Sequence, residues 1–359
     1  MMPTRIRQTL AVMRLELAKT FFSRRAWWVY LLAFAPVVLF AINSLVQARF
    51  RSHLLAEAAA HPTPTALIDA VHPGQTLEQV TAQLGPPYAR ESWAFPRHEG
   101  PGLTRVTDHY TDGRRETTLV YFDGVLRHVE HEAPDDLSAD ELIFATVFQF
   151  YNLRLAVFFG CLGVFVNLFR GEMLDKSLHF YLLTPVRREG LLAGKFLAGL
   201  SASVGIFAAS VALQYAAMLW QFGAPSVASF MAATGWSHLA TYVGITALAC
   251  FGYGSLFLVV GLAFRNPIVP AAAVLIWESA NVFLPAALKP VSLVFYLQSL
   301  CPVAVKSGTA LPPALALLLT SAEPASVPWA LGGILVFAAL LIGVAALLVR
   351  RLEISYAVE

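Results

Sequence analysis

The residues best placed to do work lie between Arg170 and Lys195: Arg-Gly-Glu-Met-Leu-Asp-Lys-Ser-Leu-His-Phe-Tyr-Leu-Leu-Thr-Pro-Val-Arg-Arg-Glu-Gly-Leu-Leu-Ala-Gly-Lys. Five basic residues (Arg170, Lys176, Arg187, Arg188, Lys195) stand against three acids (Glu172, Asp175, Glu189) in an amphipathic piece between two long apolar runs. Basic segments of this size stay on the cytoplasmic side of a bilayer. Within the stretch, Gly190-Leu-Leu-Ala-Gly194-Lys195-Phe196 comes nearest to a nucleotide-binding loop. A phosphate loop needs four residues between its glycines and a Ser or Thr after its Lys; here there are three, followed by Phe196, and no strand precedes them. Close helix packing is the better use of these glycines. The chain therefore carries no cofactor site of its own, and ATP-driven work would need an ATPase on a separate polypeptide.

Two ionisable residues lie inside apolar runs, Arg154 and Glu278, with Asn281 about one turn after Glu278. A charge at the centre of a span costs roughly 2.5–3.5 kcal/mol on insertion scales and faces a partner or a water-filled path. Rising 1.5 Å per residue, the two sites differ in depth by roughly 7–8 Å, which two long side chains bridge. A structural ion pair, a place on a translocation path or gate, and snorkelling of Arg154 to the outer headgroups are all open. Histidines are less promising. His128 and His131 stand three apart on a predicted strand and point to opposite faces, so with His109 nearby they make no ready chelate, and no metal ligand set is assigned. No nucleophile–base motif stands out. Cys161, Cys250 and Cys301 have no paired spacing and read as packing residues.

The elements that hold these residues follow from composition. Of 359 residues 57% are hydrophobic and 13% charged, against roughly 25% charged in soluble domains. Apolar runs of about 20 residues, each able to cross a hydrocarbon core, recur. The fold class expected is an α-helical polytopic membrane protein. Residues 4–24 read as an interfacial helix with Ile6, Leu10, Met13, Leu17 and Phe21 on one face. Six spans follow at about 26–46 (containing Pro36), 142–169, 192–220, 239–264, 267–288 and 329–349. The leader before the first span is too long, and the span too apolar, for a removable signal peptide. The N-terminus, 170–195, Arg265, Arg350 and Arg351 hold fourteen of twenty-five basic residues, whereas loops 221–238 and 289–328 hold only Lys289 and Lys306. Both termini are therefore expected in the cytoplasm. Trp27, Trp28, Trp220, Trp236 and Trp329 fall near span ends, where indoles favour the interface. Segment 289–328 is apolar but broken by prolines, and reads as two short re-entrant or interfacial outer helices.

Residues 47–141 differ in kind, with eight Arg, no Lys, fifteen Asp or Glu and seven of the nine His. This is an inserted α+β domain of about 95 residues on the outer side. Leu67–Leu84 reads as helix, broken at His72-Pro73-Gly74. Strands are predicted around Tyr88–Phe95, Val106–Tyr110, Thr117–Phe122 and Val125–His131, with hairpin turns at Asp112-Gly113 and Asp123-Gly124. Domain boundaries thus fall at 1–46, 47–141 and 142–359.

The ordered set Glu172, Thr184, Pro185, Arg187, Arg188, Gly194 and Lys195, placed between two spans, resembles the coupling loop of type-2 ABC exporter permeases. The resemblance also covers the N-terminal helix, the six spans and the short outer helices, and leaves out 47–141. It implies a membrane subunit that pairs with a second copy or a related permease and docks on two copies of an ABC-type ATPase, which bind the ATP and magnesium. In that role Met173, Leu174 and Leu178 would enter a cleft on the ATPase, while Glu172, Lys176, Arg187 and Arg188 set its orientation. The bland reading is that any loop beside a bilayer is basic and amphipathic. Within the outer insertion, Pro73–Pro87 and Val120–Leu126 resemble the small lipoprotein domain of the outer-membrane β-barrel assembly machinery, which suggests a fold and leaves a periplasmic partner open. The membrane expected is the bacterial inner membrane, with lipid as a partner and nucleic acid not. The rival functions are a non-transporting sensor or assembly factor displaying 47–141, and a secondary transporter, which would usually show internal repeats.

Overall fold

Runs of Leu, Val, Ala and Phe without a polar face satisfy their backbone internally, and in this chain they do so as helices. The structure, a computed structural model, describes residues 4–22, 27–95, 103–134, 136–174, 187–281, 287–305 and 324–351. Helices α1 (Thr4–Phe22) and α2 (Trp27–Ala60) precede the short helices α3 (Thr65–Asp69) and α4 (Leu77–Leu84). Strands β1 (Ala89–Phe95), β2 (Leu103–Thr111), β3 (Glu116–Phe122) and β4 (Val125–Glu132) come next. Then come α5 (Leu137–Val147), a π-helix (Phe148–Ala156), α6 (Val157–Leu174) and α7 (Arg188–Leu219). The chain goes on through α8 (Ala224–Phe230), a π-turn (Met231–Gly235), α9 (Trp236–Ala263), α10 (Ile268–Ala280), α11 (Leu293–Ser299) and α12 (Val327–Arg350).

Among the described residues, five helical stretches are long and apolar enough to cross a membrane: Trp27–Ala60, Leu137–Phe169, Arg188–Leu219, Ala224–Ala263 and Val327–Arg350. The chain is mostly helical with one small antiparallel sheet, consistent with a membrane-embedded protein. Two compact units divide it. The first is Met1–Phe40, Glu141–Met218 and Gly223–Glu359; the second is Ala41–Asp140 with Leu219–Phe222.

The helix bounds differ from two of the expected spans. The first does not end at 46 but continues to Ala60, because Leu-Leu-Ala-Glu-Ala-Ala-Ala is rich in strong helix formers and the first breaker is Pro62. The loop expected at 221–238 is almost all helix: Pro225 lies in the first turn of α8, where its missing N–H costs nothing, and no breaker follows before Ala263. Of the fifth expected span, 267–288, the described part is helix α10 with 13 residues, and residues 282–286 lie outside the described residues. Of the two expected outer helices, α11 forms after a 3₁₀ turn at Lys289–Val291; the other lies outside the described residues.

In the first unit α9 packs between α6 and α12. Gly261 permits a close approach of α9 to the α6 backbone: a Cβ there would lie 3.0 Å from the Cα of Val166. Phe144, Phe148, Tyr215 and Tyr242 form an aromatic core, the rings of Phe148 and Tyr242 4.7 Å apart. Cys161 and Cys250 are buried and unlinked.

The second unit contains a meander of order β1-β2-β3-β4, antiparallel throughout. Its strands lie where the alternating pattern placed them. The Asp123-Gly124 turn has positive φ at both residues, 51° and 79°, the geometry that matches the twist of a two-residue hairpin. The sequence break at His72-Pro73-Gly74 separates α3 from α4, and α4 starts on a capping box between Thr76 and Gln79. One face of the sheet buries Tyr110, Leu119, Tyr121 and Leu126 against Ile68, Val71, Val80 and Leu84. Leu55 and Ala58 of α2 approach Gly113.

Candidate functional site

Lys195 is the most completely buried charge in the first unit. Its side chain is 0% exposed, and Nζ donates to Glu16 Oε1 at 2.9 Å and to the Leu168 carbonyl at 3.0 Å. Its neighbour Gly194 makes room for this contact: a Cβ there would fall 2.8 Å from the Thr9 carbonyl and 2.9 Å from Val12. The Gly-Lys pair therefore docks α1 onto the start of α7 and the end of α6. As a direct contact for a partner Lys195 is corrected: it faces inward, because a helix carrying the carboxylate of Glu16 covers it.

Arg188 is likewise engaged within the unit. Its Nη1 donates to the Arg350 carbonyl at 2.9 Å and to the Val349 carbonyl at 3.4 Å, placing a cation at the C-terminus of α12. Glu189 accepts from Arg350 Nε at 2.9 Å and from its Nη2. Arg187 is exposed and precedes α7. Glu172 and Met173 belong to the last turn of α6, and their side chains lie outside the described residues, as do Lys176, Leu178, Thr184 and Pro185. The C-terminal end of the 170–195 stretch is thus fixed to α1 through Lys195 and to α12 through Arg188 and Glu189, the first two of which the sequence had marked for docking.

A second group of polar residues lies inside the bundle. Glu278 is buried and accepts from Ser292 Oγ at 2.7 Å, Leu293 N at 3.0 Å and Val294 N at 2.9 Å. It caps α11 across the chain reversal that follows α10, and Asn281 Nδ2 donates to the Lys289 carbonyl at 3.2 Å within the same reversal. The ion pair anticipated between Arg154 and Glu278 is not formed: among the described residues no nitrogen of Arg154 reaches a carboxylate. Peptide N–H groups of α11 and the Ser292 hydroxyl occupy the carboxylate instead. Arg154 lies over the Phe150 ring at 5.1 Å, and its buried Nε has no hydrogen-bond partner.

Beside Arg154 runs a chain of uncharged polar groups that charge-based reading missed. Asn152 Nδ2 donates to Gln214 Oε1 at 3.0 Å, Gln214 Nε2 to Ser210 Oγ at 2.9 Å, and Ser210 Oγ to the Ala33 carbonyl. Gln149 Nε2 donates to the Val303 carbonyl at 3.0 Å. Gln149, Asn152 and Arg154 all belong to the π-helix, a conformation often found at functional sites. Three polar residues within six positions of an apolar run was the available signal.

In the second unit Tyr88 donates to Glu116 Oε1, which also takes His109 Nδ1 at 2.8 Å. Burial and this carboxylate hold the Tyr88 phenol well above its ordinary range. His131 Nδ1 meets Thr117 Oγ1 at 3.0 Å, and His128 is exposed opposite Val120. The histidines have separate partners, and among the described residues no group of three or more His, Cys, Asp or Glu is placed to hold a metal. Arg90 and the fully buried Asp108 form a bidentate pair on the core face of the sheet. No protein-family model matches this chain, and no curated protein matches it.

Proposed function

We propose that this chain is the membrane-spanning permease subunit of an ATP-driven exporter of the type-2 ABC kind. The observation that carries the reading is the anchoring of the 170–195 loop. Its C-terminal flank, the first turns of α7, is held by Lys195 to Glu16 and to the Leu168 carbonyl of α6, and by Arg188 and Glu189 to the end of α12. A push on such a loop passes into α1, α6, α7 and α12 together. The polar chain Asn152–Gln214–Ser210 and the isolated Arg154 then lie along helices that such a push moves. A non-transporting anchor needs one span and no polar interior. In this reading two copies, or one copy and a related permease, sit on two ATPase chains that bind ATP and magnesium. The membrane is the bacterial inner membrane, with both termini cytoplasmic and 47–141 outside.

The test is purification of the full chain from native membranes in mild detergent, followed by identification of stoichiometric partners and assay of ATP hydrolysis. An ABC-type ATPase should co-purify, and Arg187→Glu should weaken the association while the chain still inserts. A chain that carries no ATPase at any stoichiometry, with Arg187→Glu indistinguishable from wild type, would reject the proposal.

A further inference from the structure

Outside these groups, the first unit has a groove of about 450 Å³ between the start of α2, the end of α6 and the turn joining α9 to α10. That volume is within the range of about 300–1,000 Å³ common to small-ligand pockets. Trp28, Leu162, Val166 and Ile268 supply apolar walls, and Asn167 and Arg265 are its polar members. Ile268 is 72% exposed, so the groove opens sideways. Its members cluster at helix ends. Trp28 is the second residue of the apolar stretch Trp27–Ala60, Asn167 lies two turns before the end of α6 at Leu174, and Ile268 opens α10. An indole, an amide and a guanidinium at helix ends, with aliphatic side chains farther along, match the change from headgroup to hydrocarbon.

We propose that this groove binds one anionic phospholipid of the surrounding bilayer, its acyl chain along Leu162, Val166 and Ile268 and its phosphate at Arg265. A guanidinium recognises a phosphate through paired N–H donors, and basic pockets between helices at a membrane surface take anionic headgroups. The inference rests on the chain being embedded in a bilayer and not on the exporter reading.

The experiment uses the full chain in nanodiscs of mixed phosphatidylcholine and phosphatidylglycerol, with a trace of phosphatidylglycerol carrying a photoactivatable acyl chain. Crosslinks are mapped by peptide mass spectrometry. Labelling of Leu162–Asn167 and Ile268 is expected, displaced by unlabelled phosphatidylglycerol but not by equal phosphatidylcholine. Arg265→Gln should lower groove labelling about fivefold relative to labelling on the exposed faces of α2 and α12, the effect of one basic residue at an anionic surface. Arg265→Lys should restore most of it, and Ile268→Trp should fill the groove and abolish it. Groove labelling equal for both lipid classes, or unchanged by Arg265→Gln, overturns the proposal. Labelling of α2 and α12 without labelling of the groove also overturns it, whereas absence of labelling on every helix sinks the bilayer reading itself.

Discussion

Glu16 of α1 and Lys195 of α7 form a buried ion pair at 2.9 Å, and the two partners differ in what remains when one is lost. Glu16 has a second cation, Lys19, at 3.5 Å. Lys195 is 0% exposed, and its remaining contacts include the Leu168 carbonyl and the face of Phe169 at 5.5 Å. Glu16→Gln should therefore cost more than Lys195→Met, on the order of the 3–5 kcal/mol typical of a stranded buried charge. The double variant Glu16→Leu with Lys195→Met should be less damaged than the sum of the singles. Thermal unfolding in detergent measures all three, and equal single losses would show that Lys19 does not compensate.

Glu278 gives a second prediction, through its hydrogen bonds and not its charge. Glu278→Ala strands two peptide N–H groups and a hydroxyl, each unsatisfied group costing about 1–3 kcal/mol. Since Arg154 shares none of those bonds, the coupling energy in an Arg154→Ala, Glu278→Ala cycle should be under about 1 kcal/mol. A coupling of several kcal/mol would mean that the two form a direct pair in solution.

Topology is the third. With cysteines introduced singly into a cysteine-free background, the exposed Arg114 position should react with a membrane-impermeant maleimide added outside intact cells, and the exposed Arg187 position should not. Labelling of Arg187→Cys from outside would invert the orientation and remove the coupling role with it.

Acid sensitivity of the second unit is the fourth. Burial pushes the Asp112 carboxyl up, but the N–H groups of Arg114 and Arg115, the Thr65 hydroxyl and the Arg115 guanidinium outweigh it and hold the group below its ordinary value. A depressed folded pKa contributes stability that is fully present above the unfolded value of about 3.9 and is lost as pH falls through the folded one. Asp112→Asn should therefore weaken the β2–β3 hairpin at pH 6 and converge with wild type once pH falls below the depressed folded value. Hydrogen exchange of the hairpin amides, corrected for intrinsic rates, reads the difference. Parallel curves at all pH values would show that the charge of Asp112 is not used.

What the sequence makes legible and what it does not divides along physical lines. Strands β1 to β4 announce themselves because alternation and Asp-Gly turns are local signals, and α3 and α4 because Pro73-Gly74 interrupts a periodic run. Long helices are equally plain in kind, but their ends are not. Nothing in residues 47–60 or 224–236 forbids helix, and a charge-based reading stops a span where polarity begins. Pairing is harder still. Lys195 stands within a few residues of Arg187 and Arg188 and looks equally available, yet its carboxylate partner is 179 residues away in α1. Glu278 finds peptide N–H groups fifteen and sixteen positions on. Only the fold supplies such neighbours, and a backbone donor leaves no mark in a list of side chains.

The π-helix at Phe148–Ala156 has a consequence for how this helix could be altered. Each π turn takes roughly one residue more than an α turn, so residues before Phe148 and after Ala156 are out of phase with a single straight α-helix. The stretch works as an angular spacer. It lets Phe144 face Tyr215 and Tyr242 while Phe165 still faces Gly199 and Gly254 farther along. Deleting one residue from it would let the stretch relax toward α geometry and absorb much of the change in phase. The same deletion in the middle of α12, a regular α-helix, would turn the residues on either side against each other by about 100°, one residue of an α turn.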